Sequence, residues 1–380
     1  MRLQAVPGDG IRYAVPMRRA ILTLVLATSH AAGQQSPAPP PAPSPSPPPP
    51  ASAPTPPPAA PTVVDALRAE AAAVRPLVDS DLARAFLDAT AALPAVQPRT
   101  VWGTADRSRW YTAEQAAALG EAERAALTER TLDEAFYWNT RYGSPVAYAR
   151  AIDIAAHHGV RDRGSALDFG CGGLGAPRLL ACTGWRVTGV DVDPLLPAFY
   201  SERGDTGVVM GPDARGVVQL IAGQWPADAA TVEAVSAATT GGLDLFLSKN
   251  TLKRGYIHPS EPTDPRRLVH LGVDDATFVK AVFEALAPGG LFLVYNICPA
   301  PAPAGQPYIP WADGHCPFPR ELLESTGFDV LAYDSVDDTA ARAMGHALGW
   351  NEGEGAMDLE HDLFAWFTVA RRPVSEDGHK

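Results

Sequence analysis

Positive charge is in short supply: 31 Lys and Arg stand against 43 Asp and Glu, a net charge of -12 over 380 residues. Nonspecific binding to nucleic acid needs clustered Lys and Arg, so nucleic acid is not an expected partner. Cysteine is also rare. Cys171, Cys182, Cys298 and Cys316 show no C-x-x-C spacing, and no paired histidines stand at ligand separations, so no metal site is expected. Cys171 and Cys182 read as small core-filling residues, and a Cys298–Cys316 disulfide would suit an exported chain. No uncharged apolar run is long enough to span a bilayer. With 46% hydrophobic residues, the chain can nevertheless bury a sizeable core.

Proline is plentiful but unevenly placed. Fifteen of the 38 prolines fall between Ser36 and Thr62, mixed only with Ala, Ser and Thr. Such a stretch cannot build a core and is expected to be a disordered, extended tether over residues 36–62. Residues 1–35 form a leader. Met17-Arg18-Arg19, the apolar run Ala20 to Ala27 and the small residues around Ser29-His30-Ala31 resemble a secretory signal peptide if translation begins at Met17. The sixteen residues ahead of Met17 argue for a cytoplasmic protein, with export as the alternative. From Val63, Val64, Leu67, Ala71, Val74 and Leu77 recur at helical spacing, and Tyr111 to Arg130 has a similar character. Residues 63–140 are therefore expected to be a helical cover, and residues 141–380 the α/β domain.

The most informative stretch is Ala166-Leu167-Asp168-Phe169-Gly170-Cys171-Gly172-Gly173-Leu174-Gly175, with Asp191 sixteen residues after the last glycine. Ser165 to Phe169 reads as a buried parallel strand, and the glycines allow a tight turn that brings backbone close to a ligand. Ala176 to Thr183 reads as a helix, and Trp185 to Asp191 as a second strand ending in a carboxylate placed to accept from ribose hydroxyls. Gly170, Gly172 and Gly175 also satisfy the G-x-G-x-x-G dinucleotide pattern, which keeps an NAD(P)-dependent oxidoreductase open. Asp168 weighs against that reading. It would repel a pyrophosphate over the turn but suits a cationic ligand.

With its acid-x-Gly-x-Gly turn, the segment resembles the first motif of the class I S-adenosylmethionine-dependent methyltransferases. Gly242 to Asn250 resembles that family's fourth strand, Phe278 to Asn296 its helix, Pro-Gly-Gly turn and fifth strand, and Gly327 to Leu331 and Asp362 to Val369 its last two strands. The resemblance implies a Rossmann-like three-layer sandwich on a mostly parallel seven-stranded sheet, its last strand antiparallel, and S-adenosyl-L-methionine as cofactor. It implies that Asp168, Gly170, Gly172, Gly173 and Gly175 hold the methionine moiety and Asp191 the ribose, with Ser248, at the substrate end of the fourth strand, also among the cofactor-binding residues. Arg141 and Tyr142, in the aromatic cluster ahead of the first strand, are the lid candidates. The chain departs from the pattern in two ways. Leu174 holds the place of the usual third glycine, and Gln224, followed by Trp225, stands where many members carry an acid for the adenine amino group. Gln224 could accept that bond through its amide oxygen, and Trp225 could stack on the ring.

Methyl transfer needs the acceptor's lone pair in line with the departing sulfur, and a base only where the acceptor must lose a proton. After the fourth strand, Lys249 and Asn250 are candidates to orient the acceptor, and Tyr256 and His258 candidates for the base. Lys249, Lys253, Arg254, Arg266 and Arg267 concentrate positive charge here, suiting an anionic substrate or a solvated surface. The chain lacks the Asp/Asn-Pro-Pro-Tyr/Phe signature of members that methylate exocyclic or amide nitrogens. A small-molecule or polypeptide acceptor stays open, as does a noncatalytic binding or scaffold protein that keeps the fold.

Overall fold

A computed structural model describes residues 61–140, 143–353 and 355–374. The leader, the tether up to residue 60 and the lid candidates Arg141 and Tyr142 lie outside the described residues. From Thr62 onward the described residues form one compact unit, Gly353 and Gly355 apart.

Two sheets organise that unit. The small one has three antiparallel strands in the order β2-β1-β3: β1 Arg99–Gly103, β2 Trp110–Tyr111 and β3 Thr128–Leu132. The large one has eight: β4 Ser165–Phe169, β5 Arg186–Asp191, β6 Gly207–Met210, β7 Arg215–Ala222, β8 Leu243–Lys249, β9 Leu286–Cys298, β10 Asp329–Val336 and β11 Phe364–Arg371. Its order is β10-β11-β9-β8-β4-β5-β7-β6. The neighbours β9-β8, β8-β4, β4-β5 and β5-β7 are parallel. β11 enters antiparallel between β9 and β10, and β6 closes the other edge as an antiparallel partner of β7.

The alternation of apolar side chains builds a core on each face. In β9, Leu291, Leu293 and Tyr295 join the cluster under the helices Val63–Val74, Asp81–Asp88, Ala149–His157 and Gly175–Ala181, whereas Phe292 and Val294 join Phe278, Phe318 and Trp225 on the opposite face. The expected strands and the helix after β4 are present, with two differences. The sheet has eight strands because Gly207–Met210 folds back on β7. The stretch Tyr111 to Arg130 holds only the short helices Ala113–Ala117 and Glu121–Ala125 and ends in β3, because Thr128–Leu132 pairs along the whole of β1. Arg99 of β1 then reaches Asp205 with two bonds of 2.7 and 2.8 Å, and the Tyr137 hydroxyl donates to the same carboxylate at 2.8 Å.

The helices ahead of β1 are fastened by polar contacts as well as packing. Ser80 caps Asp81–Asp88 by accepting from the Ala83 N–H, and both its hydroxyl and its N–H donate to Asp153. Arg150 bridges Asp153 to Asp337, which also accepts from the Tyr295 hydroxyl. Asp79, Asp153 and His157 also come together here, with Asp153 already committed to Ser80 and Arg150. Ser80→Ala is expected to cost about 1–2 kcal/mol, because the cap and a buried hydrogen bond are lost together. Urea denaturation measures this, and an unchanged midpoint would contradict it. Among the described residues no helix is long and apolar enough to cross a membrane.

Candidate functional site

The chain reverses direction across the sheet beside β4, running to β5 and β7 on one side and returning through β8 and β9 on the other. In open parallel sheets a crevice forms at such a switch point, outside the carboxyl ends of the strands. The ends of β4, β5 and β8 there carry Asp168, Asp191 and Lys249.

Glycine shapes the turn after β4. Gly170 and Gly172 have φ of 70° and 62°, a left-handed conformation that costs glycine little. Among the described residues a Cβ on Gly172 would meet nothing closer than 3.9 Å, and the residue is exposed. Gly175 has the opposite reason to be glycine, since a Cβ there would lie 1.9 Å from the Trp138 carbonyl oxygen. Leu174 fits at the shifted position because it turns into the core, while its N–H donates to the Tyr200 hydroxyl at 3.1 Å. Asp191 braces the turn from β5. One carboxylate oxygen accepts from the Gly172 N–H at 2.8 Å, the other from the Asp193 N–H at 2.9 Å, and burial raises its pKa.

Asp168 is 3% exposed, and among the described residues the Tyr148 hydroxyl is the one hydrogen-bonding group set against its carboxylate, which makes no ion-pair contact. Burial first, and the charge of Asp191 second, push its pKa up to about 7. A cavity of about 10 Å³ beside it is lined by Tyr148 and otherwise by apolar groups such as Phe86, Ile152, Leu180 and Leu247. A water there would find few polar partners. Tyr148, buried at the end of the turn Pro145–Tyr148, was not anticipated from the sequence; Ser144-Pro145, a capped turn start, is the signal that could have found it.

The segment after β8 divides in two. Lys249 points toward Asp168 and Tyr148: its ammonium lies 5.0 Å from the Tyr148 ring centre, and desolvation, followed by the charge of Lys253, lowers its pKa to about 8. The other polar groups hold the loop itself. Ser248 is fully buried, its hydroxyl donating to the Phe169 carbonyl and accepting from the Leu252 N–H. Asn250 takes φ of 63° and accepts from the Ile297 N–H at 2.7 Å. Lys253 is 3% exposed and donates to the carbonyls of Ile297 and Trp311. Tyr256 is buried, and His258 pairs with Asp275 at 2.8 Å on a separate groove of about 860 Å³ beside Val269 to Ala276.

The expected concentration of positive charge is therefore not a surface patch, since Lys253 is buried, Arg254 pairs with Asp313, and Arg266 with Asp264. Gln224 donates from its amide nitrogen to the His270 carbonyl at 2.8 Å. Trp225 is 4% exposed among Phe169, Phe246 and Phe278, which corrects its expected stacking on an adenine ring. All four cysteines are buried free thiols.

Counted from β4, the seven longer strands of the large sheet lie in the order sixth, seventh, fifth, fourth, first, second, third, with the seventh antiparallel and the acids at the ends of the first two. The fold is that of the class I methyltransferases. Among solved structures, the chain is similar to the [4+2]-cyclase SpnF at 19% identity, covering 60% of this chain and 82% of that one, with a TM-score of 0.36. A S-adenosylmethionine-dependent methyltransferase from Mesorhizobium loti matches at 19% identity over 60% and 98%, with a TM-score of 0.34. Phosphoethanolamine N-methyltransferase 2 from Haemonchus contortus, in complex with S-adenosyl-L-methionine, matches at 13% identity over 73% and 68%, with a TM-score of 0.36. No family model matches the chain, and no curated protein matches it by sequence.

Proposed function

We propose that this protein transfers a methyl group from S-adenosylmethionine to a small-molecule or polypeptide acceptor. The observation that carries the reading is Asp168, a buried carboxylate at the end of the first parallel strand with no ion-pair contact and only the Tyr148 hydroxyl against it among the described residues, next to the exposed Gly172 of the glycine turn. A buried charge left unpaired is costly, and a cationic ligand removes that cost. S-adenosylmethionine brings a sulfonium and an ammonium. A dinucleotide would instead set a pyrophosphate against this turn and add repulsion to burial, so the same observation weighs against the oxidoreductase.

In this reading Gly172 and Gly173 lie against the cofactor, and Asp191 accepts from the ribose hydroxyls with the lone pairs that Gly172 and Asp193 leave free. When bound, the cofactor supplies an electrophilic methyl group, and the protein's part is to hold the acceptor in line and keep water out. The acceptor would lie over the segment from Lys249 to Arg254, where Asn250 fixes the corner of the loop. Should the acceptor need to lose a proton, the His258–Asp275 pair is the base candidate, reached only by an acceptor extending into its groove; Tyr256 is the more enclosed alternative.

Calorimetric titration of the full chain with S-adenosylmethionine and, separately, with NADH tests the reading. Saturable binding of S-adenosylmethionine without NADH binding is the expected result. A folded sample that binds neither would end the proposal and favour a binding or scaffold role, and binding of NADH alone would restore the oxidoreductase.

A further inference from the structure

A chain of buried hydrogen bonds ties the back of the glycine turn to the small sheet. It begins at Leu174, whose N–H precedes the helix Gly175–Ala181 and so has no carbonyl partner within it. That N–H donates to the Tyr200 hydroxyl at 3.1 Å, and the hydroxyl donates in turn to the Tyr137 carbonyl at 2.7 Å. Tyr200 is buried, and both capacities of its hydroxyl are used. The same oxygen would lie 3.1 Å from a Cβ on Gly173, with the Asn139 carbonyl oxygen at 3.5 Å, so the turn is pressed against the end of the helix Glu134–Trp138 with Tyr200 as the polar clamp.

From Tyr137 the chain runs on to β1. The Tyr137 hydroxyl meets Asp205, which Arg99 grips with two bonds, and Arg99 also donates to the Phe199 carbonyl at 2.8 Å. The Arg99 and Asp205 side chains are 10% and 3% exposed, and charge-assisted bonds shielded from water hold their geometry firmly. Arg99 opens the strand that pairs with β3 along its whole length. We propose that Tyr200 is a positioning residue for the turn, and that through it cofactor occupancy and the order of the β1–β3 ladder are coupled. A ligand against Gly172 restricts the turn, Tyr200 passes the restriction to Tyr137 and Asp205, and Arg99 passes it to β1. This rests on the methyltransferase reading and adds a regulation to it, because linkage is reciprocal: whatever loosens the small sheet weakens cofactor binding.

The test is hydrogen exchange of the full chain with and without S-adenosylmethionine, beside calorimetric titration of the wild type and of Tyr200→Phe, which keeps the ring and removes both bonds. The cofactor is expected to slow exchange in the β1–β3 ladder about 5-fold or more beyond its effect on β10 and β11 at the far edge of the large sheet, the lower end of ordinary coupling. Tyr200→Phe should abolish that excess and bind S-adenosylmethionine about 10-fold more weakly. A residue that only stabilised the fold would speed exchange in the empty variant yet leave the ladder's response to the cofactor in place. No excess slowing in the wild type, an excess that survives Tyr200→Phe, or undiminished affinity in that variant overturns the role of Tyr200 and leaves the methyltransferase reading intact. A folded wild-type protein that does not bind S-adenosylmethionine overturns both. The wild-type exchange pattern can refute the coupling even if the variant does not fold.

Discussion

Replacing Asp191 by alanine is expected to weaken S-adenosylmethionine binding by about 100-fold, a figure set by two charge-assisted hydrogen bonds of roughly 1.5 kcal/mol each. Asp191 ends β5 at the crevice, and one oxygen is already tied to the Gly172 N–H and the other to the Asp193 N–H. Both bonds orient the carboxylate before any ligand arrives, so little side-chain entropy is lost when ribose hydroxyls donate to it. The substitution would therefore remove the proposed ribose acceptor and also loosen the turn that Asp191 braces. Asp191→Asn separates the two effects. It keeps one acceptor oxygen but turns an amide N–H toward Gly172 or Asp193, and a loss of about 10-fold is expected. Calorimetry on samples with wild-type circular dichroism is the measurement. Undiminished affinity in a folded Asp191→Ala protein would remove Asp191 from the cofactor site.

The parts of the fold that were legible in the sequence are those where one local pattern permits one structure. Ser165 to Phe169 is too short and apolar for anything but a buried strand, and the left-handed φ at Gly170 and Gly172 follows from a turn that only glycine makes easily. The edge strand β6 was not legible. Gly207–Met210 is four residues long, and its pairing with β7 depends on a turn that the alternation of Val208, Val209 and Met210 does not announce. β3 was hidden for a related reason: Thr128 to Thr131 is exposed and polar, so it is a strand only because β1 lies beside it. In the site, residue type suggested chemistry more readily than it suggested direction. Ser248, Asn250 and Lys253 carry groups suited to a substrate, yet their bonds go to the backbone of Phe169, Leu252, Ile297 and Trp311. A sharp loop leaving a buried strand has many backbone groups to satisfy, and the nearest polar side chains satisfy them.

Asp168→Asn is expected to move binding and stability in opposite directions. The folded protein holds this carboxyl at a pKa of about 7, chiefly through burial, while the unfolded chain holds it near the ordinary value of 3.8. Between those values the folded state binds a proton that the unfolded state does not, so this group's contribution favours folding at low pH and is lost as pH rises through 7. At pH 8 the carboxylate is buried and charged, the Lys249 charge and the Tyr148 hydroxyl offset its burial only in part, and the neutral amide of asparagine removes the remaining cost. Lys249 loses an attractive neighbour in the exchange, but its own pKa of about 8 lets it shed its proton cheaply. The net expectation is a variant about 1–2 kcal/mol more stable than the ligand-free wild type at pH 8, with the difference shrinking toward zero near pH 4. The same variant should bind S-adenosylmethionine at least about 10-fold more weakly, because a charge-assisted contact to the ligand is gone. Urea denaturation at the two pH values and calorimetry at pH 8 check the pair. A variant less stable than wild type at pH 8 would mean that Asp168 is satisfied within the fold, and the motive for a cationic ligand at this turn would go with it. The expected outcome would mark Asp168 as a residue that weakens the empty protein and strengthens the loaded one, the trade that a binding site requires and a packing residue does not.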